Sequence, residues 1–343
     1  MKSRNRILLL LLPGLILVLF ITLVYSLLYG PHIKTGGKKI TIYIPDGSTY
    51  TQAMDSVKAH ISVKHPKTLE WIAERKKYPQ LVKPGRYVLE SDMSYTALIN
   101  YLRSGRQNSV NVTFNNIRTL NDLAGRIGMQ IDADSTRIIT FLTDPDNYSK
   151  DGFTAETVIA VFIPNTYQLF WNTTPKGLYN RMLGEYKKFW NDDRLARAKE
   201  KNLTPVEVSI LASIIDDEVA KPDEKPRIAG VYLNRLKRGI PLQACPTIKF
   251  ALNDFTITRV LKKHLEIDSP YNTYKHRGFP PGPIGCASVE GIDAVLNAEE
   301  HDYLYFAAKA DFSGYHNFSR TLAEHNRYAA IYQRELNKRR IFR

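Results

Sequence analysis

"LASIIDDEVAKP", Leu211 to Pro222, sets three acids in a row at the end of a run that otherwise reads as a buried helix. Thr204 and Pro205 supply the helix start, Thr at the N-cap and Pro at the first position, where its missing N–H costs nothing. Advancing about 100° per residue puts Leu211, Ile214, Ile215 and Glu218 at i, i+3, i+4 and i+7. Glu218 then falls within roughly 20° of Leu211 on the apolar stripe, whereas Asp216 and Asp217 point away from it and are expected to be solvated. A carboxylate on an apolar face is costly unless paired or neutral. Desolvation raises its pKa and keeps it protonated near neutral pH, the state a general acid needs. Two readings of Glu218 stay open: a general acid, or a structural partner for Arg227 or Arg235 on the next helix. Pro222 and Pro226 end the first helix and restart a second, "PRIAGVYLNRLKRG", which Gly239 closes. Glu218 therefore lies near a helix end, where clefts are commonly lined.

Downstream, "IPLQACPTIKFAL" and "SPYNTYKHRGFPPGPIG" are rich in Tyr, Asn, Gln, Thr, Pro and Gly. Aromatic faces that stack on C–H surfaces, beside amides and hydroxyls, suit a sugar. Gln243, Thr247, Asn272 and His316 are candidates for hydrogen bonding to sugar or peptide, and Tyr271 and Tyr274 for stacking. Each is equally compatible with bracing a loop, and His316 with a core position in its strand. "LYNRMLGEYKKFWNDD" and "LAEHNRYAAIYQRELNKRR" have helical periodicity, while "YLYFAAK" and "YHNFS" predict a hairpin around Asp311–Gly314. Residues 111–343 are thus expected to form a larger, helix-rich α+β domain.

Upstream, Ile40, Ile42 and Ile44 alternate as in a strand, Pro45-Asp46-Gly47 makes a turn, and Ser48 or Thr49 caps a helix. Val110, Val112 and Phe114, followed by Thr119, echo the pattern, and "MSYTALINYLRSG" adds a helix that Gly105 closes. Residues 39–110 are expected to be a small α+β module, either binding something or acting as a spacer, after a linker over 31–38. Before the linker, Ile7 to Gly30 is uncharged and follows Lys2, Arg4 and Arg6. As a helix the run reaches roughly 35 Å, enough to span a bilayer. A cleaved secretory signal would have a shorter core and a small-x-small site, and "YSLLYGPH" is a poor one. Residues 1–30 therefore read as a cytoplasmic tip and an uncleaved transmembrane signal-anchor, with the body outside the cytoplasm by the positive-inside rule.

The 343 residues carry a formal net charge of +14, spread along the chain. Spread positive charge suits an anionic partner such as headgroups or acidic polysaccharide. Nucleic acid is not expected, because no helix-turn-helix spacing, RNP-type aromatics or zinc-finger pattern is present. The only cysteines are Cys245 and Cys286, without CxxC, and the eight His residues show no HExxH. No metal or organic cofactor is expected.

"LASIIDDE", "RIAGVYLNRLKRGIPLQACPT", "YNTYKHRGFPPGPI", "YLYF", "GYHNFS" and "EHN" stand in the order found in the endolytic murein transglycosylases of the YceG-like family, which the chain resembles from about residue 40 onward. "VFIPNTYQLF" resembles that family's Phe-Pro-(Asp/Glu)-Thr-Tyr segment, with Ile163 and Asn165 as departures. The resemblance implies a membrane-anchored lytic transglycosylase of the bacterial inner membrane, with a LysM-like module before the catalytic domain. It implies cleavage within nascent glycan strands, at the β-1,4 bond between N-acetylmuramic acid and N-acetylglucosamine. The family's catalytic Glu is the last acid of Ala-Ser-Ile-(Ile/Val)-Glu-x-Glu and falls on Glu218, with Asp216 replacing the first Glu. Glu218 would protonate the glycosidic oxygen, then accept the proton of the muramoyl 6-hydroxyl as that oxygen closes a 1,6-anhydro ring. Peptidoglycan synthases are candidate partners. Cys245 stands where the family commonly has Asp, and Cys286 follows the Pro-Pro-Gly loop, so a Cys245–Cys286 disulfide tying the two loops is an expectation. Competing readings are a non-catalytic, anchored peptidoglycan-binding scaffold and a two-carboxylate muramidase.

Overall fold

The computed structural model describes residues 2–89, 93–219 and 221–339. The extreme ends of the expected cytoplasmic tip and catalytic domain, residues 1 and 340–343, lie outside the described residues. The fold mixes helices with two-stranded sheets and divides into two compact units.

The first unit takes residues 1–112 and adds 130–133 and 168–174. Its α1 (Lys2–Tyr29) contains an apolar window, Leu12–Tyr29, of mean hydropathy 2.3 with none of it buried. By length and composition this helix can cross a membrane. β1 (Ile40–Ile44) follows, with Ile42 and Ile44 fully buried as the alternation predicts. Thr49 then caps α2 (Tyr50–His60), and Gln52 returns a bond to the Thr49 N–H to complete a capping box. After α3 (Pro66–Arg75), β2 (Gly85–Leu89) pairs antiparallel with β1, Ile42 opposite Tyr87. Ser94 caps α4 (Tyr95–Ser104), and Gly105 closes it at φ 69°, a left-handed turn that glycine adopts without Cβ strain. Met54, Leu69, Tyr87, Leu98 and Leu102 fill the core between these elements.

The stretch expected to be a linker is tied into this unit. Ile33 is 1% exposed in the core, and its N–H donates to Met93 O. An extended segment that buries an isoleucine and pairs its backbone is part of the fold, not a tether.

β3 (Ser109–Phe114) pairs with β4 (Asn165–Phe170). In the second unit, Thr119 opens α5 (Leu120–Gly128) with a second capping box, and α6 (Ser135–Leu142) follows. After β4 come α7 (Pro175–Phe189), α8 (Asp192–Glu200), α9 (Pro205–Glu218), α10 (Lys225–Lys237), α11 (Cys245–Ala251) and α12 (Val289–Leu296). β5 (Tyr305–Ala308) and β6 (His316–Ser319) form the predicted antiparallel hairpin, and α13 (Leu322–Lys338) closes the chain.

α9 is the hub, packed by α8, α10, α11 and α12. Every residue from Val208 to Ile215 is buried, so the apolar stripe read from periodicity is a helix enclosed on all faces. Its two serines cause no penalty there: Ser209 Oγ donates to Pro205 O, while Ser213 Oγ donates to Ile210 O and accepts Ile284 N–H. Thr204 caps its start, accepting Glu207 N–H while the Glu207 carboxylate accepts Thr204 N–H. Thr204→Ala removes one half of this box and is expected to cost about 1 kcal/mol. A fall in melting temperature of about 2–4 °C would register it.

Candidate active site

Glu218 is the last residue of α9, and Val219 N–H closes the turn onto Ile215 O. Among the described residues the Glu218 carboxyl makes no hydrogen bond and no ion pair. It is half-buried, and burial pushes its pKa from the ordinary 4.5 up to about 7. The positive charge of Lys249 opposes that shift and the negative charge of Asp217 adds to it. The structural partners weighed for Glu218 are occupied elsewhere. Arg227 pairs with Glu299 at 2.8 Å. The Arg235 guanidinium, 6% exposed, donates to Pro241 O, Leu304 O and Gln243 Oε1.

Three proton-bearing groups feel the Glu218 charge. Tyr232 on α10, Cys245 at the start of α11 and Tyr274 in the loop before α12 all have raised pKa values. Burial is the largest cause in each case, and Glu218 is among the others. Cys245 Sγ lies 3.2 Å from Tyr274 Oη. At neutral pH these groups keep their protons, beside an acid whose own pKa is raised to about 7. Tyr232 was not singled out from sequence. The usable signal is its place in "RIAGVYLNR", one turn from both Ile228 and Arg235 on the buried side of α10.

The two preceding acids are partly buried and paired, which corrects the expectation from periodicity that they are simply solvated. Asp216 Oδ1 accepts from Lys225 Nζ at 2.9 Å and from Ser288 Oγ at 2.8 Å, and its Oδ2 accepts Ser288 N–H at 2.7 Å. Asp217 pairs with Arg118 at 2.8 Å, and that guanidinium stacks over Phe255. Both remain partly exposed at the end of the enclosed helix, and each is met by a cation from another element. Both acids, with Arg118, Lys225, Cys286 and Ser288, line a cavity of about 690 Å³. Glu218 is not among its lining residues.

The remaining candidates divide by accessibility. Gln243 is exposed, held at φ 53° with its N–H on Thr273 O and its side chain on Arg235. Tyr271 is half-buried against the Phe250 ring, 4.8 Å between centroids. Thr247 is fully buried, its hydroxyl donating to Ala244 O and 2.8 Å from Thr273 Oγ1. Asn272 is equally buried and donates to Leu265 O and Ile267 O while accepting Tyr274 N–H. These two residues shape the loop that presents Tyr271 and Tyr274. His316 is bound by Glu224, whose carboxylate accepts both its N–H and Nδ1.

The two cysteines are free thiols, not a disulfide. Cys245 Sγ is engaged with Tyr274, while Cys286 is buried with its N–H on Ile117 O. Alkylation of the denatured, unreduced protein is expected to add two labels by mass spectrometry; no label would restore the disulfide.

The buried helix α9 thus ends in an unpaired carboxyl of raised pKa whose charge is felt by Tyr232, Cys245 and Tyr274. The profile of the YceG-like family matches residues 42–331, and the chain belongs to that family. A Bacillus subtilis (strain 168) protein named endolytic murein transglycosylase is 29% identical over 335 residues, 92% of each chain. A Streptococcus pneumoniae (serotype 2, strain D39) protein of the same name is 29% identical over 302 residues, covering 79% of this chain and 54% of its own. The crystal structure of a YceG-like protein from Listeria monocytogenes is similar with TM-score 0.56 and 25% identity, covering 85% of this chain and 99% of that one.

Proposed function

We propose that the protein is a membrane-anchored lytic transglycosylase that cuts within peptidoglycan glycan strands and leaves 1,6-anhydromuramoyl ends. One observation carries this reading: Glu218 is a single unpaired carboxyl with its pKa near 7, able to give and then take a proton at physiological pH. Protonated Glu218 donates to the glycosidic oxygen as the bond to C1 of N-acetylmuramic acid breaks. The resulting carboxylate takes the proton of the muramoyl 6-hydroxyl, whose oxygen bonds to C1 and closes the anhydro ring. Glu218 ends as it began, and no water is consumed.

The hydrolytic alternative needs a second free carboxylate near the first. Asp216 and Asp217 are each held by a cation, which favours the single-acid route. Tyr274 and Cys245 would donate to sugar oxygens, Gln243 would hydrogen-bond, and Tyr271 would stack, while Tyr232, 1% exposed, would support the site from within. Residues 7–30 would anchor the chain in the bacterial inner membrane with the body outside the cytoplasm. Residues 39–110 would be a LysM-like module, residues 111–343 the catalytic domain, and peptidoglycan synthases candidate partners.

The test incubates the full chain in detergent with uncrosslinked glycan strands and reads the new ends by mass spectrometry, beside Glu218→Gln. Anhydro ends from the wild type alone support the reading. Reducing ends would replace it with hydrolysis, and strand binding without cleavage with a scaffold.

A further inference from the structure

The end of α1 is locked into the first unit. A helix leaves its last carbonyls without partners, and here the unit supplies them. The His32 ring nitrogen Nε2 lies 2.9 Å from Ser26 O and 3.0 Å from Leu27 O, and Thr96 Oγ1 donates to Leu28 O at 2.7 Å. The same His32 ring stacks on Tyr95, and Leu28 packs against the buried core. With Ile33 buried four residues beyond Tyr29, the junction has no slack.

This junction fixes the height of α3. Lys67, Thr68 and Trp71 share a groove of about 360 Å³ with Val24, Leu27 and Leu28 of α1. The apolar window of α1 runs on to Tyr29, so the level of Val24 is about 7.5 Å inside its end. A side chain alongside Val24–Leu28 is therefore at the depth where the acyl region meets the headgroups. Trp71 is 47% exposed there, with the Arg75 guanidinium 5.4 Å from its ring centre. Lys67, Trp71 and Arg75 recur every four residues and form one face of α3; Lys64 precedes it, exposed. Glu70, on the adjoining face, is occupied by Lys58 at 3.0 Å, and Glu74 flanks the face beside Arg75. An aromatic ring with a polar edge, set among cations at this depth, has the chemistry of an interfacial anchor.

We infer that α3 is an interfacial helix whose Lys67–Trp71–Arg75 face beds into the headgroup layer and binds anionic phospholipid. The inference rests on the reading of α1 as a membrane span. Trp71 supplies the insertion, because its ring prefers the boundary to either water or hydrocarbon, and the flanking cations supply the headgroup preference. The first unit would then be seated on the bilayer, not held above it.

The test reconstitutes the full chain into vesicles of phosphatidylcholine with or without phosphatidylglycerol. Flotation after an alkaline carbonate wash checks the anchor itself. Tryptophan quenching by lipids brominated near the headgroup end of the acyl chain is then compared between wild type and Trp71→Phe. The expected result is strong quenching, most of it lost in the variant. Spin-labelled phosphatidylglycerol is expected to be favoured several-fold over spin-labelled phosphatidylcholine at the protein surface, with the preference falling in Lys67→Glu/Arg75→Glu. A chain that floats but loses no quenching with Trp71 overturns the inference and leaves the anchor standing. A chain that does not float removes both. Quenching without headgroup preference overturns the anionic-lipid assignment.

Discussion

Glu218→Gln is expected to lose about 10²–10⁴-fold in strand cleavage, the range that a positioned acid–base contributes, and yet to melt higher than the wild type at pH 8. The second half follows from the raised pKa. In the folded protein the group titrates near 7, against an ordinary 4.5. A carboxyl whose folded pKa is raised stabilises the fold fully below the unfolded value, and that contribution is lost as pH rises through the folded one. The window therefore runs from about pH 4.5 to about pH 7, and the full shift corresponds to up to about 3 kcal/mol. Glutamine never ionises and escapes the loss. The variant's melting temperature should exceed the wild type's by about 5 °C at pH 8 and match it near pH 4.5. Calorimetry at the two values checks this, and an equal shift at both would detach the effect from ionisation. Wild-type cleavage should also fall about tenfold per unit above pH 7, as the acid form is depleted.

Asp216→Ala is expected to be the most damaging substitution for stability among those argued here. It leaves Lys225, 7% exposed, with Glu290 at 3.6 Å as its one remaining carboxylate among the described residues, and it removes both bonds to Ser288. Breaking a buried pair from one side costs about 3–5 kcal/mol. The partial exposure of Asp216 and the presence of Glu290 reduce that to about 2–4 kcal/mol, or a fall of about 5–10 °C. Ser288 is the N-cap of α12, accepting Gly291 N–H at 2.8 Å, so the loss reaches a second helix start. Gly291→Ala makes the same point from the other side, since a Cβ there would stand 2.5 Å from Asp216 Oδ1. Asp216→Asn keeps one acceptor oxygen, sets an NH2 against the remaining donors and loses the charge, so it should fall between the wild type and Asp216→Ala in thermal melts.

The features read well from sequence are those set by short-range chemistry. Thr49, Thr119 and Thr204 each announce a helix because an N-cap needs only the next three residues. Ile42 and Ile44 announce a strand, and Gly105 a stop, for equally local reasons. The segments 130–133 and 168–174 return to the first unit from far along the chain, and no local pattern encodes that. Glu218 was legible because it is both the last residue of a capped, countable helix and an acid in an apolar run. Asp216 and Asp217 were misread because periodicity assumes a wet face. Their cations, Lys225 and Arg118, arrive from another helix and from a loop nearly a hundred residues earlier. Thr247 and Asn272 have the composition of ligand contacts, and only their complete burial reveals them as loop braces.

The enclosure of α9 bears on how such an enzyme can diverge. With Val208 to Ile215 all buried, almost any replacement there disturbs four neighbouring helices at once, so drift along this segment is closed off. The half-exposed Tyr271 and Tyr274 and the exposed Gln243 stand on loops, which tolerate exchange. New preferences for strand chemistry can accumulate in those loops while Glu218, the proposed proton donor, stays on a part of the molecule that cannot wander.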